Sequence, residues 1–185
     1  MIIALILFLL AGFLFAYYYN DLIGKKNRIT QTMGNIDIVL KKRYDLIQNL
    51  VATLQQYTGY EKGVLTEVTA LRSRAMAAGL SDEEKMKLNS ELSRSLSGMI
   101  ATAENYPQLK ADTQFTSLSE ELKNIEQQLA TARLNYNYDV TRYNNTVEMF
   151  PSNMVASYMK FELKNLLEIR DDEKGDVRVK DLFKG

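Results

Sequence analysis

From Ile2 to Tyr19 the chain is an unbroken run of apolar, aromatic and glycine residues. As a helix this run covers roughly 27 Å, close to the hydrocarbon thickness of a bilayer, and it is greasy on every face. It predicts a transmembrane helix over residues 1–19. Tyr17, Tyr18 and Tyr19 stand where amphipathic rings meet headgroups, and the first charge is Asp21. Lys25, Lys26 and Arg28 follow just beyond the span, while no cation precedes Ile2. The positive-inside bias therefore places the N-terminus outside and the long C-terminal part in the cytoplasm of a single-pass cell-membrane protein. A cleaved leader would carry a basic n-region and an A-x-A-like site before Asn20; neither is present, so a retained anchor is expected. Gly12 and Ala16, four residues apart, are compatible with close approach of two spans, although lipid-facing filler is the plainer reading.

The remaining composition narrows the chemistry. The 185 residues include no His, no Cys and no Trp. That excludes imidazole or thiolate metal sites, a cysteine nucleophile and a serine triad with an imidazole base. Basic and acidic side chains balance at 23 each, which gives no excess positive charge for a nucleic-acid partner. The sequence contains no Gly-rich phosphate loop, no G-x-x-x-x-G-K and no E-x-x-H pair, so neither cofactor nor metal is expected and the protein reads as non-enzymatic.

Beyond residue 25 apolar positions recur in steps of three and four: Ile29, Met33, Ile36, Leu40, Tyr44, Ile47, Leu50, Leu54 and Tyr57, then Val64, Val68, Leu71 and Ala75. This spacing predicts one long helix to Ala78, bent but not stopped near Gly59, Glu61 and Gly63. Gly79 suits a left-handed cap, and Ser81 with Glu84 forms a capping box that opens a second helix with Leu88, Leu92, Leu96, Met99 and Ala103 on its apolar face. An extended link over residues 105–111 leads to a third helix, capped by Asp112 or Thr113. Its seam runs Phe115, Leu118, Leu122, Ile125, Leu129, Ala132, Tyr136, Val140, Tyr143, Val147 and Phe150. Pro151 ends it, and a shorter fourth helix is expected from Asn153 to Ile169, carrying Val155, Tyr158 or Met159, Leu163 and Leu166. No strand is expected.

The predicted fold is therefore all-α: an N-terminal transmembrane helix continuing into a long-helix antiparallel bundle of three long helices and a shorter C-terminal one. The bundle is expected over residues 20–169, and residues 170–185 are expected to form a charged flexible tail. Helix one outruns its partners by roughly 20 Å, which would leave seam surface uncovered.

Within this frame certain polar residues stand out. Arg43 adjoins the seam of helix one and suits a buried network, with Asp45 and Asn49 on the same stretch; Lys41, Lys42 and Asp45 also read as a solvated helix face. Glu126 and Arg133 share a face of helix three and could join Arg43. Tyr136-Asn137 and Tyr143-Asn144 repeat at a heptad interval, so one Tyr-Asn pair faces the same way twice. Such amides fix register or, on the rival reading, line a polar ligand groove.

These residues carry a resemblance. Tyr19-Asn20 after the span, Leu40-Lys41-Lys42-Arg43-Tyr44-Asp45-Leu46-Ile47-Gln48-Asn49-Leu50-Val51, Tyr106-Pro107-Gln108-Leu109-Lys110-Ala111, and Arg133, Tyr136, Asn137, Val140, Tyr143, Asn144, Phe150 and Pro151 resemble the motifs of the LemA family of bacterial membrane proteins, over about Tyr19 to Phe161. Gln48 departs from a family pattern that usually has Pro there, so a Pro-imposed kink is not expected. The resemblance implies an N-terminal anchor followed by a helical bundle. A magnetosome member is associated with membrane vesicle formation, which extends the implication to membrane organisation. Together these readings predict a self-associating scaffold, a homo-oligomer at the bilayer, or alternatively an adaptor presenting a helical face to another membrane protein.

Overall fold

The computed structural model describes residues 1–57, 62–103 and 105–167, and all regular structure among them is helical. The elements are α1 (Ile2–Leu54), α2 (Lys62–Ala75), α3 (Asp82–Ala103), α4 (Pro107–Lys110), α5 (Thr113–Glu148) and α6 (Ser152–Tyr158). The chain divides into two units, one of Met1–Ile38 with Thr131–Leu167, the other of Val39–Ala130 in its described residues. Helices α1 and α5 each contribute a stretch to both.

In the first unit the apolar run is unbroken helix with its side chains exposed from Ile2 to Tyr17, and α1 is long and apolar enough to cross a membrane. Beyond it, Leu22, Ile29, Met33 and Ile36 of α1 are buried, as are Tyr136, Val140 and Tyr143 of α5 and Val155 and Ala156 of α6. Arg28 of α1 pairs with Asp139 of α5 at 3.2 Å.

In the second unit Leu40, Tyr44, Ile47, Leu50 and Leu54 continue the α1 seam and are buried throughout. Here the structure departs from the expected rod. Instead of running to Ala78, α1 ends at Leu54, where Gln56 and Tyr57 donate to Thr53 and Leu54 carbonyls in tightened i→i+3 turns. Gly59 and Glu61, where only a bend was expected, lie outside the described residues. Helix α2 folds back beside α1: Arg72 Nε donates to the Tyr44 carbonyl and Nη2 to Gln48 Oε1, both at 2.7 Å. Leu65, Val68, Leu71 and Ala75 are buried, and α2 packs on α3. The expected positions Val68, Leu71 and Ala75 thus hold, and only the first differs, with Leu65 buried in place of Val64. With the chain reversed, the uncovered seam expected from an overlong helix one has no counterpart among the described residues.

The capping logic is realised closely. Gly79 adopts φ +85°, Ser81 Oγ accepts from Glu84 N, and Glu84 Oε2 accepts from Ser81 N at 2.9 Å. Asp112 caps α5, its Oδ1 accepting from Gln114 and Phe115 amides. The link before it is not extended as expected: Pro107 starts the helical turn α4, a position its fixed φ favours, and this buries Leu109 fully.

The fourth segment also departs from expectation. Helix α6 stops at Tyr158 and closes in a Schellman motif, with Lys160 in the left-handed position at φ 55°, Lys160 N donating to Ser157 O and Phe161 N to Ala156 O. Residues 161–167 continue without helix; Ile169 and the tail lie outside the described residues. Phe150, placed on the α5 seam by periodicity, is exposed, as are Tyr158, Met159, Leu163 and Leu166.

Candidate functional site

The heptad-spaced Tyr-Asn pairs of α5 hold the chain's own C-terminal segment. Asn144 Nδ2 donates to Lys164 O at 2.9 Å while its Oδ1 accepts from Lys164 N at 2.9 Å. Asn137 repeats the arrangement on Leu167 at 2.9 and 2.8 Å. A carboxamide presents one donor and one acceptor side by side, so it pairs with a residue's backbone N–H and C=O as a neighbouring strand would. The spacing fits: seven helical residues rise roughly 10.5 Å and three extended residues span roughly 10 Å. Tyr143, 1 % exposed, donates to the Glu162 carbonyl at 2.9 Å. Burial, with the nearby Glu162 charge, pushes the Tyr143 hydroxyl above the usual tyrosine range. Tyr136 and Arg133 are buried on the same helix. The amide-lined groove that sequence reasoning allowed is thus occupied from within.

Where the first unit leaves the apolar run, Lys25 pairs with Asp21 one turn away, Lys26 is exposed, and Arg28 reaches Asp139. A shallow cavity of about 300 Å³ opens there, lined by Asn20, Asp21, Lys25, Arg28 and Arg142 among others. Two aromatic contacts lie higher. Tyr158 meets Phe15 edge-on with ring centroids 6.0 Å apart, and Phe161 lies 6.3 Å from Tyr19. Tyr17 and Tyr18 stack edge-on each other.

In the second unit Arg43 is fully buried. Its Nη2 donates to Ser93 Oγ at 2.5 Å and to Glu126 Oε1, and its Nη1 reaches Asn89 Oδ1 at 3.4 Å. Asn89 Nδ2 in turn donates to the Tyr44 hydroxyl at 2.8 Å. One guanidinium thereby ties α1, α3 and α5, using the planar fork that only arginine offers. Glu126 joins as expected, whereas Asp45 and Asn49 are exposed and the cluster is built without them; Arg133 belongs to the other unit. Sequence reasoning missed Asn89 and Ser93. Their signal was small polar residues four apart inside the apolar stripe of α3, between Met86 and Leu96. Beside the cluster lies an open groove of about 490 Å³ lined by Leu96, Ile100, Leu122, Lys123 and Glu126 among others. Among the described residues no group of His, Cys, Asp and Glu side chains could hold a metal ion.

The sequence profile of the LemA family matches residues 32–180. The chain is also similar to Protein LemA of Metamycoplasma hominis, at 23 % identity over 182 residues, covering 96 % of this chain and 83 % of that protein.

Proposed function

The chain belongs to the LemA family of membrane-associated helical proteins, and from that premise we propose that it is a single-pass scaffold that works without catalysis, associating laterally with its own copies to organise the bilayer. The observation that carries this reading is the engagement of Arg43. The one fully buried cation of its unit among the described residues is bound to Glu126, Ser93 and Asn89, so the side chains best suited to chemistry hold helices together instead. Asn137 and Asn144 are engaged likewise on the C-terminal segment. Lys25, Lys26 and Arg28 support an N-terminus outside and a cytoplasmic bundle. Gly12 and Ala16, one turn apart in the span, would let two copies approach closely.

Counting fluorophores per spot by photobleaching of the full chain in native-lipid nanodiscs or vesicles tests it. Multiple copies at dilute protein-to-lipid ratio are expected; single copies at every ratio would remove the self-association. A second reading, an adaptor for another membrane protein, is favoured by the groove of Leu96, Ile100 and Leu122. It predicts a stoichiometric partner lost on Ile100→Asp with the helical content unchanged.

A further inference from the structure

Helix α5 runs antiparallel to α1 in the first unit, and the Arg28–Asp139 ion pair sets their register. Glu148 lies 9 residues beyond Asp139, and Tyr19 lies 9 before Arg28, so α5 ends level with the last residue of the apolar run. Phe150 and α6 come after that level. The ring contact of Tyr158 with Phe15 fixes how far they reach, because Phe15 sits one turn inside Tyr19, roughly 6 Å deeper along the helix.

At that height the chain presents a greasy stripe. Phe150, Met154 and Tyr158 recur at four-residue intervals and are 80 %, 66 % and 78 % exposed, with Met149 beside them at 63 %. The opposite face of α6, Ser152, Val155 and Ala156, is buried within the unit. Lys160, two residues beyond Tyr158, is exposed and can extend its ammonium toward headgroups while its stem stays among apolar groups.

We propose that the turn from Met149 and helix α6 form a second membrane contact, an interfacial wedge that lays Phe150, Met154 and Tyr158 among the headgroups and upper acyl chains of the leaflet through which α1 leaves the bilayer. The inference rests on the reading of Ile2–Tyr19 as a span. Continuity with that span selects lipid as the occupant: a surface whose outermost ring touches a residue inside the apolar run has lipid for its surroundings. The depth of about 6 Å matches the 5–10 Å to which interfacial helices bury their apolar faces.

The chain contains no tryptophan, so one introduced indole reports its own surroundings. Full-length Leu10→Trp, Phe150→Trp, Met154→Trp and Leu134→Trp would each be reconstituted in phosphatidylcholine–phosphatidylglycerol vesicles carrying bromine high or low on the acyl chains. Deep bromines should quench Leu10→Trp most strongly, and shallow bromines should quench Phe150→Trp and Met154→Trp. Leu134→Trp, far down α5, should respond to neither. If Leu10→Trp is quenched while both wedge probes are not, the wedge is wrong and the span stands. Blue-shifted but unquenched wedge emission would assign the stripe to a second copy or another protein. If Leu10→Trp itself is unquenched, the span reading fails and the wedge with it. Two wedge probes keep the test decisive when one substitution fails to fold.

Discussion

Asn137 brackets Leu167: its amide nitrogen donates to the Leu167 carbonyl at 2.9 Å and its oxygen accepts from the Leu167 amide at 2.8 Å. Removing this side chain deletes both bonds, so Asn137→Ala should cost about 1–2 kcal/mol. Asn144→Ala, whose bonds are solvent-exposed, should cost less. Hydrogen exchange read at the Leu167 and Lys164 amides checks this: Asn137→Ala should speed exchange first at Leu167, and Asn144→Ala first at Lys164.

Arg43 and Lys42 are neighbours in sequence with opposite surroundings, one fully buried and one exposed. Arg43→Ala strands Asn89, Ser93 and part of Glu126 without their cation and should destabilise by about 3 kcal/mol. Lys42→Ala should stay within about 0.5 kcal/mol. Glu126→Gln keeps an acceptor oxygen and should cost about 1 kcal/mol. Denaturant or thermal unfolding of the three variants would rank them, and equal curves for Arg43→Ala and Lys42→Ala would remove the network.

The hydroxyl of Tyr57 donates to Asp112 Oδ2, joining the residues that follow α1 to the cap of α5. The Tyr57 hydrogen bond, with the Phe115 amide, holds the Asp112 carboxyl below its usual range, and the same bond to Asp112 raises Tyr57. Glu84 is likewise lowered by its bonds from Ser81. A carboxylate with a lowered folded value stabilises the fold above its unfolded value and loses that contribution as pH falls through the folded one. A tyrosine with a raised value stabilises below its unfolded value and loses the contribution as pH climbs. The Tm of the detergent-solubilised chain should therefore hold between about pH 4 and 10 and fall on both sides. Tyr57→Phe should flatten the alkaline decline relative to the parent.

Among the described residues two sit in left-handed backbone, Gly79 at φ 85° and Lys160 at φ 55°. A Cβ is strained there, so Gly79→Ala should destabilise by about 1 kcal/mol even though nothing crowds it. Lys160→Gly should run the other way, stabilising by up to about 1 kcal/mol. Opposite shifts in Tm would check both.

Much of this architecture was legible from spacing alone. The α1 seam from Ile29 to Leu54, the Ser81–Glu84 box and Asp112 as a cap each follow from a local pattern and recur in the structure, whereas Arg43 and Glu126 stand out separately in the sequence and meet across 83 residues of it. What escaped was decided at a distance. Periodicity carries on past Leu54 with hardly a change of phase, so Gly59, Glu61 and Gly63 read as a bend and not as a reversal; the reversal is held by Arg72 on Tyr44 and Gln48. The residues after Tyr158 keep a helical rhythm at Leu163 and Leu166, yet side chains on α5 satisfy their backbone instead. Phe150 continued an inward series but stands exposed, because α5 ends at Glu148 before the series reaches it.

The paired carboxamides of α5 work as a vernier: one scale advances by heptads, the other by triplets, and the marks coincide only where both counts close. A single residue inserted between the two asparagines would rotate one carboxamide about 100° off its mark while the other stayed in register.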